Sequence, residues 1–150
     1  MSAAVYKFPP GYFCRKAKPA TKGHIVTALQ RQCLPGDAPL DPEYGIWWLL
    51  EHSPSGEVAG FCQLMPRPNL GYGYLGRAGV LPKHRGFHLQ QKLIRVRLRE
   101  CEKLNLNLAY SDTINWNAAS MNNLLACGFK PYWPTHPWAL KESVYWRKVL

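Results

Sequence analysis

The ten residues from Val80 to Leu89, VLPKHRGFHL, end a strand, turn through a loop holding Arg85 and Gly86, and run straight into a helix. The helix is read from its spacing. Between 88 and 104, Leu89, Leu93, Val96 and Cys101 share one side, and Ile94 and Leu98 widen it. Lys92, Arg95, Arg99 and Lys103 occupy the opposite side. A helix with so broad an apolar face must pack on a sheet. Its start exposes unpaired N–H groups and a partial positive charge, which together suit a phosphate. Gly86 permits backbone angles that gather N–H groups at one point, and Arg85 adds a permanent cation. Strand–helix turns of this kind are common, so the stretch assigns no function by itself.

Upstream, residues 4–17 hold a short extended segment interrupted by Pro9, Pro10 and Gly11. A helix is predicted over 21–33 on the stripe of Ile25, Val26 and Leu29, stopped by Pro35, Gly36 and Asp37. GIWWLLE at 45–51 is rich in strand formers and too short for a helix. A turn from Ser53 to Gly56 returns the chain as a second strand at 58–65, making an antiparallel hairpin. A third strand is predicted over 72–81. Beyond the long helix, 106–114 return to strand, and 117–127 form a short helix closed by Gly128 in the left-handed cap position. Two short strands follow at 129–133 and 143–149. This order suits an α/β or α+β sheet with helices on both faces.

A chain of 150 residues without repeat or long linker is read as one domain, 1–150, large enough to fold without disulfide or metal. Its five cysteines, at 14, 33, 62, 101 and 127, lack zinc or redox spacing and are read as buried free thiols in a reducing cytosol. The start, MSAAVYKFPPGYFCRK, holds no long apolar core, and no apolar run approaches a membrane span, so the expectation is a cytoplasmic chain without a membrane partner. Nineteen Lys and Arg against nine Asp and Glu leave a formal net charge of +10. Such a balance draws polyanions and leaves nucleic acid open as a partner.

Two motifs carry a resemblance. Val80-Leu81-Pro82-Lys83-His84-Arg85-Gly86, followed by a helix, resembles the V-x-P-x-x-R-G coenzyme A signature of the GNAT acetyltransferases. The family continues R-G-x-G-x-G (or Ala last), whereas His88 and Gln90 stand at the second and third small-residue positions here. The departure implies that both side chains turn sideways, with His88 placed to donate to a phosphate. Asn117-Ala-Ala-Ser120-Met-Asn-Asn-Leu124-Leu-Ala-Cys-Gly128-Phe129 is similar to the family's N-x-x-(A/S)-x-x-x-Y-x-x-x-G-F in the same register. The resemblance covers about residues 45–150. It implies the GNAT fold, a mixed, mostly antiparallel central sheet flanked by helices. It also implies N-acetyl transfer from acetyl-CoA to an amine by direct attack in a ternary complex. Gly79, Val80, Arg85, Gly86, Phe87, His88, Leu89, Gln90 and Asn117 would hold the cofactor, and no metal is expected. Pro137-Trp138 and Tyr145-Trp146-Arg147-Lys148 resemble the ending of short members often encoded by phages, which would place the chain in a host cytoplasm.

Such a reaction needs an amine freed of its proton, a donor for the departing thiol and a donor for the thioester oxygen. In the family the last is a strand N–H, here near Val80, and the thiol's donor is a Tyr. Leu124 stands at that Tyr's position, so Ser120, Tyr132 and Tyr145 are the substitutes. Asp112 is the first candidate for base or amine anchor, with Glu51 and His52 behind it. Each also fits an ordinary surface role. Trp47, Trp48, Trp116, Trp133, Trp138 and Trp146 are expected mainly as packing, although Trp116, Tyr132 and Trp133 flank the second motif and could stack a base or line an acceptor pocket. Three functions follow from these readings. The first is acetylation of an amine on a small molecule or protein, the second is acylation of tRNA or DNA, and the third is a GNAT-fold binding protein without catalysis. A homodimer stays open.

Overall fold

The computed structural model describes residues 7–135 and 139–150, so residues 4–6 of the expected first segment, Pro137 and Trp138 lie outside the described residues. In chain order the elements are β1 (Tyr12–Lys16), α1 (Pro19–Cys33), β2 (Ile46–His52), β3 (Glu57–Arg67), β4 (Tyr72–Val80), α2 (Leu89–Lys103), β5 (Leu108–Ile114), α3 (Ala118–Ala126), β6 (Lys130–Tyr132) and β7 (Ser143–Val149). The strands form one seven-stranded sheet in the order β1-β2-β3-β4-β5-β7-β6. Only β4 and β5 run parallel, joined by the α2 crossover; every other neighbouring pair is antiparallel.

Most expected elements sit within two residues of their predicted bounds, and the shifts have local causes. Helix α1 begins at Pro19, whose fixed φ suits a first helical turn. β5 starts at Leu108 because the Leu106 N–H is used to close α2, donating to Cys101 O at 3.0 Å after Asn105 turns left-handed at φ 57°. β3 extends to Arg67, where a short 3-10 turn at Pro68–Leu70 takes over.

The sheet divides the core in two. Along β2, Trp47 and Leu49 join Val26, Leu29 and Phe61 beneath α1, while Trp48 and Leu50 join Leu93, Leu98 and Leu124 on the side of α2 and α3. The period-two alternation thus feeds both layers, as expected of a central strand covered on both faces. Trp47, Trp48 and Trp146 are buried, whereas Trp116 and Trp133 are 71% and 80% exposed. Cys62, Cys101 and Cys127 are buried free thiols, and Cys14 and Cys33 are half-buried ones.

Two irregularities in β4 position the site. Opposite β3 the register jumps: Cys62 faces Ala78 and Leu64 faces Leu75, so Gly76 and Arg77 together oppose Gln63 as a β-bulge. Opposite β5, pairing lasts only from Tyr72 to Tyr74, and the two strands then part. From Leu75 onward the edge of β4 facing β5 has no strand partner among the described residues. One of its carbonyls, Leu75 O, is met instead by the Ser111 hydroxyl at 2.9 Å.

Candidate active site

The turn after β4 is built in three steps. Pro82–His84 form one 3-10 turn, Arg85 is extended, and Gly86 then adopts φ 92°, a left-handed angle that glycine reaches without steric cost. His88 is left-handed too, at φ 57°, and takes the cap position of α2. No side chain caps this helix and no acid stands in its first turn. Among the described residues, the N–H groups of residues 86–91 meet no internal acceptor; the first closure is Lys92 N–H to His88 O at 3.2 Å. The turn therefore presents a cluster of unpaired donors at the positive end of a 15-residue helix. Arg85 folds back so that its Nε donates to Val80 O at 3.1 Å, leaving the rest of the exposed guanidinium at the mouth.

The turn opens onto a groove of about 540 Å³ lined by Cys33, Gly79, Val80, Arg85, Gly86, His88, Gln90, Asn117 and Ser120 among others. His88 and Gln90 thus border the groove. Phe87 does not; it is half-exposed and lies 6.2 Å from the Tyr12 ring. Leu89 is buried in the core, so only its main chain can reach a ligand. At Gly79 the end of α1 comes so near that a Cβ there would stand 2.6 Å from the Cys33 Cβ. Asn117 caps α3, its side-chain oxygen accepting from Ser120 N–H at 3.2 Å, and this fixes Ser120 on the groove wall.

An inner chamber of about 430 Å³ shares Leu34, Ala78, Gln90, Asn117, Ser120 and Asn123 with the groove. It occupies the gap between the parted strands. Its carboxylates are Asp37 and Asp112, and its cations Arg77 and Arg97. The Tyr74 hydroxyl donates to Asp112 Oδ1. Burial, and then the adjacent carboxylate, pushes the Tyr74 phenol well above its ordinary value, so it remains a donor. Leu124 closes the chamber without offering a proton.

The remaining candidates lie elsewhere. Tyr132 lines a third cavity, of about 440 Å³, which shares only Tyr74 with the chamber. Tyr145 is buried and its hydroxyl accepts from Leu140 N–H at 2.9 Å; it lines none of the three cavities. Glu51 stands 3.8 Å from Arg15, and His52 packs on Tyr12 and His84 at the other end of the hairpin. Neither borders a cavity described here.

Sequence reasoning missed Tyr74 and Arg97. Tyr74 carried a signal in the alternation Tyr72-Gly73-Tyr74-Leu75, which puts both phenols on one face. Arg97 carried a plainer one: it falls four residues after Leu93 and four before Cys101, on the apolar stripe of α2. It is 3% exposed, and its guanidinium donates to Leu93 O, Gln63 O and Gly76 O at 3.1, 3.2 and 3.4 Å. The bulge carbonyls are thereby satisfied from below. No group of three or more His, Cys, Asp or Glu that could hold a metal occurs among the described residues. No helix among them is long and apolar enough to cross a membrane.

No curated protein matches the chain in sequence. In structure it is similar to an acetyltransferase from Streptococcus agalactiae, with 17% identity, TM-score 0.75 and coverage of 94% of this chain and 99% of that one. It is similar to the ribosomal-protein-S18-alanine N-acetyltransferase from Escherichia coli at 16% identity and TM-score 0.72, covering 92% of this chain and 93% of that one. A chain of the NatC complex bound to Gag peptide and CoA gives 16% identity and TM-score 0.72, covering 93% and 98%. At these identities the likeness is one of fold. Residues 15–129 match the acetyltransferase (GNAT) family model, and with the parted β4 and β5 above an uncapped helix start, the chain belongs to the GNAT acetyltransferases.

Proposed function

We propose that the protein binds acetyl-CoA in the groove and transfers its acetyl group to a primary amine held in the inner chamber. One observation carries the reading: the N–H groups of residues 86–91, unpartnered among the described residues and with no acid among them, stand at a helix start whose Gly86, His88 and Gln90 line a groove that runs into the gap beside β4. That donor set fits a diphosphate, and the free edge of β4 fits the amides of a pantetheine arm as an added strand would. Acetyl-CoA supplies the thioester carbonyl and a thiol leaving group of reference pKa about 8.5.

The chain's own groups then divide the work. Arg85 and the main chain of 86–90 hold phosphate, with Gly79, Val80, His88, Gln90 and Asn117 bordering the arm. An alkylammonium, of reference pKa about 10.4, must shed a proton before its lone pair can attack. Asp112 anchors that ammonium and takes the proton, while the Tyr74 hydroxyl orients the carboxylate. Ser120, at the junction of groove and chamber, is the hydroxyl placed to protonate the departing thiolate, in the role Leu124 cannot fill. Main-chain N–H groups of β4 near Ala78 to Val80 would meet the carbonyl oxygen as charge builds.

Calorimetry tests the first half. Acetyl-CoA is expected to bind in the micromolar range, and Arg85→Glu to weaken it by at least about tenfold through lost and reversed charge. Absence of binding to the unaltered protein overturns the reading. For the second half, acetylation of a panel of amines by the unaltered protein should exceed that of an Arg85→Glu, Asn117→Ala double variant. Equal rates would leave a binding protein without catalysis.

A further inference from the structure

We propose that the third cavity, a cleft of tyrosines beside the inner chamber, receives an unstacked nucleobase and its neighbouring phosphate from a single-stranded nucleic acid. Helix α1 packs under β2, β3 and part of β4, and the same face continues over β5, β7 and β6 with no helix on it among the described residues. There Tyr72, Tyr74, Tyr110, Tyr132 and Trp133 line a cavity of about 440 Å³ in which, among the described residues, Arg147 is the one charged lining group. The rings brace each other. Tyr72 meets Tyr110 edge-on at 5.2 Å, and Tyr110 meets Tyr132 at 5.7 Å. The Arg147 guanidinium lies 4.9 Å over the Tyr132 ring, and Trp133, 80% exposed, keeps its face free.

Aromatic faces flanked by an arginine bind flat rings joined to anions, since the ring stacks while the guanidinium takes the anion. Among the described residues no carboxylate lines the cleft itself, and the adjacent Asp112 is already engaged by the Tyr74 hydroxyl, so the lining favours an anionic ligand over a cationic one. The rim adds to this sign: Arg67 is the cross-strand partner of Tyr72, and Lys130 that of Arg147. A free mononucleotide would use only this much. The net charge of +10 acts over many phosphates at once, which favours a strand as the source. Duplex DNA keeps its bases stacked and cannot place a ring among the tyrosines. Tyr74 is shared with the inner chamber and holds Asp112, so an occupant of the cleft extends toward the site of acetyl transfer. That last link rests on the acetyltransferase reading; occupation of the cleft does not.

The experiment is therefore one of binding. A labelled single-stranded 12-mer of mixed sequence is titrated into the protein with excess coenzyme A present, by fluorescence anisotropy at low and moderate salt. The strand is expected to bind, with affinity falling steeply as salt rises. Trp133→Ala and Arg147→Glu should each weaken it by roughly tenfold or more. A mononucleotide and the matching duplex should bind far more weakly than the strand. Both altered side chains are exposed, and melting curves of the variants confirm folding. The proposal is overturned if the strand does not bind or binds both variants as tightly as the unaltered protein. It is overturned equally if the mononucleotide or duplex matches the strand. Acetyl-CoA calorimetry on the same preparation reads the other hypothesis separately, so loss of that signal would leave the strand result standing.

Discussion

At Arg97 a permanent charge is held in the core with no ion pair among the described residues; the nearby Glu100 on the same helix is taken by Lys16 at 2.9 Å. Three carbonyl oxygens replace the missing carboxylate, two of them on the strands that frame the β4 bulge. The side chain thus works as a bracket for the bulge, and through it for the parting of β4 from β5. Arg97→Met keeps the length and removes the donors. It should destabilise the protein by about 3 kcal/mol, since buried carbonyls lose charged donors, as read from the urea midpoint. Arg97→Lys should recover part of this, because one ammonium can stand in for the Nη1 that meets both bulge carbonyls but leaves Leu93 O without the Nε donor. A different cost is expected at Asp112, an exposed residue whose carboxylate accepts from the Tyr74 hydroxyl. Asp112→Asn, which keeps an acceptor for Tyr74, should change the unfolding free energy by less than about 0.5 kcal/mol, as read from the urea midpoint, and lower kcat/KM by on the order of 10² if the carboxylate takes the proton. Tyr74→Phe should give a smaller loss in the same direction.

The starts of α2 and α3 carry opposite solutions to one problem. α3 is capped from within by Asn117, whereas α2 leaves its first turn open and begins on a left-handed His88. Glycine would occupy the His88 backbone angles without side-chain strain. His88→Gly is therefore expected to change stability by less than about 1 kcal/mol, strain relief offsetting chain entropy. If the imidazole touches phosphate, the same change weakens acetyl-CoA binding in calorimetry, and an unchanged affinity would assign the groove to main chain alone. Both starts were legible in the sequence, because capping chemistry and helical period are local. The same holds for the β2–β3 hairpin, whose turn residues are contiguous. The bulge at Gly76 and Arg77 was not legible, because it exists only relative to Gln63 on another strand. Nor was the removal of Tyr145 and Tyr132 from the inner chamber, which follows from β7 pairing with β5 and putting β6 at the sheet edge. Asp112 and Ser120 were read from motif neighbours and adjoin one chamber, but their link through Tyr74 needed the two strands side by side.

Across the molecule, four of the five free thiols, Cys14, Cys62, Cys101 and Cys127, feel one buried cation, Arg97, and the balance between burial and that charge sets behaviour in alkali. Burial pushes the Cys62 and Cys101 thiols up to about 11, because a thiolate would lose its hydration; the Arg97 charge opposes this and does not offset it. Cys14, Cys33 and Cys127 are raised as well, burial again being the first cause. In the unfolded chain such thiols titrate near 8.5–9. Below that range both states keep their protons and the thiols leave stability independent of pH. Above it the unfolded chain sheds protons that the native state retains, so the unfolded state binds fewer and stability falls as pH rises. The decline should run at about 1.4 kcal/mol per pH unit for each such thiol. It should level off for Cys62 and Cys101 only as pH passes about 11, where the native thiols also ionise. Melting temperature is accordingly expected to drop steadily between pH 9 and 11 in the presence of reductant. Cys101→Ala should start lower, from the cavity it leaves, and decline less steeply. A melting temperature that holds level across that interval would mean the core thiols ionise without penalty, and Arg97 would then be a counter-ion rather than a bracket.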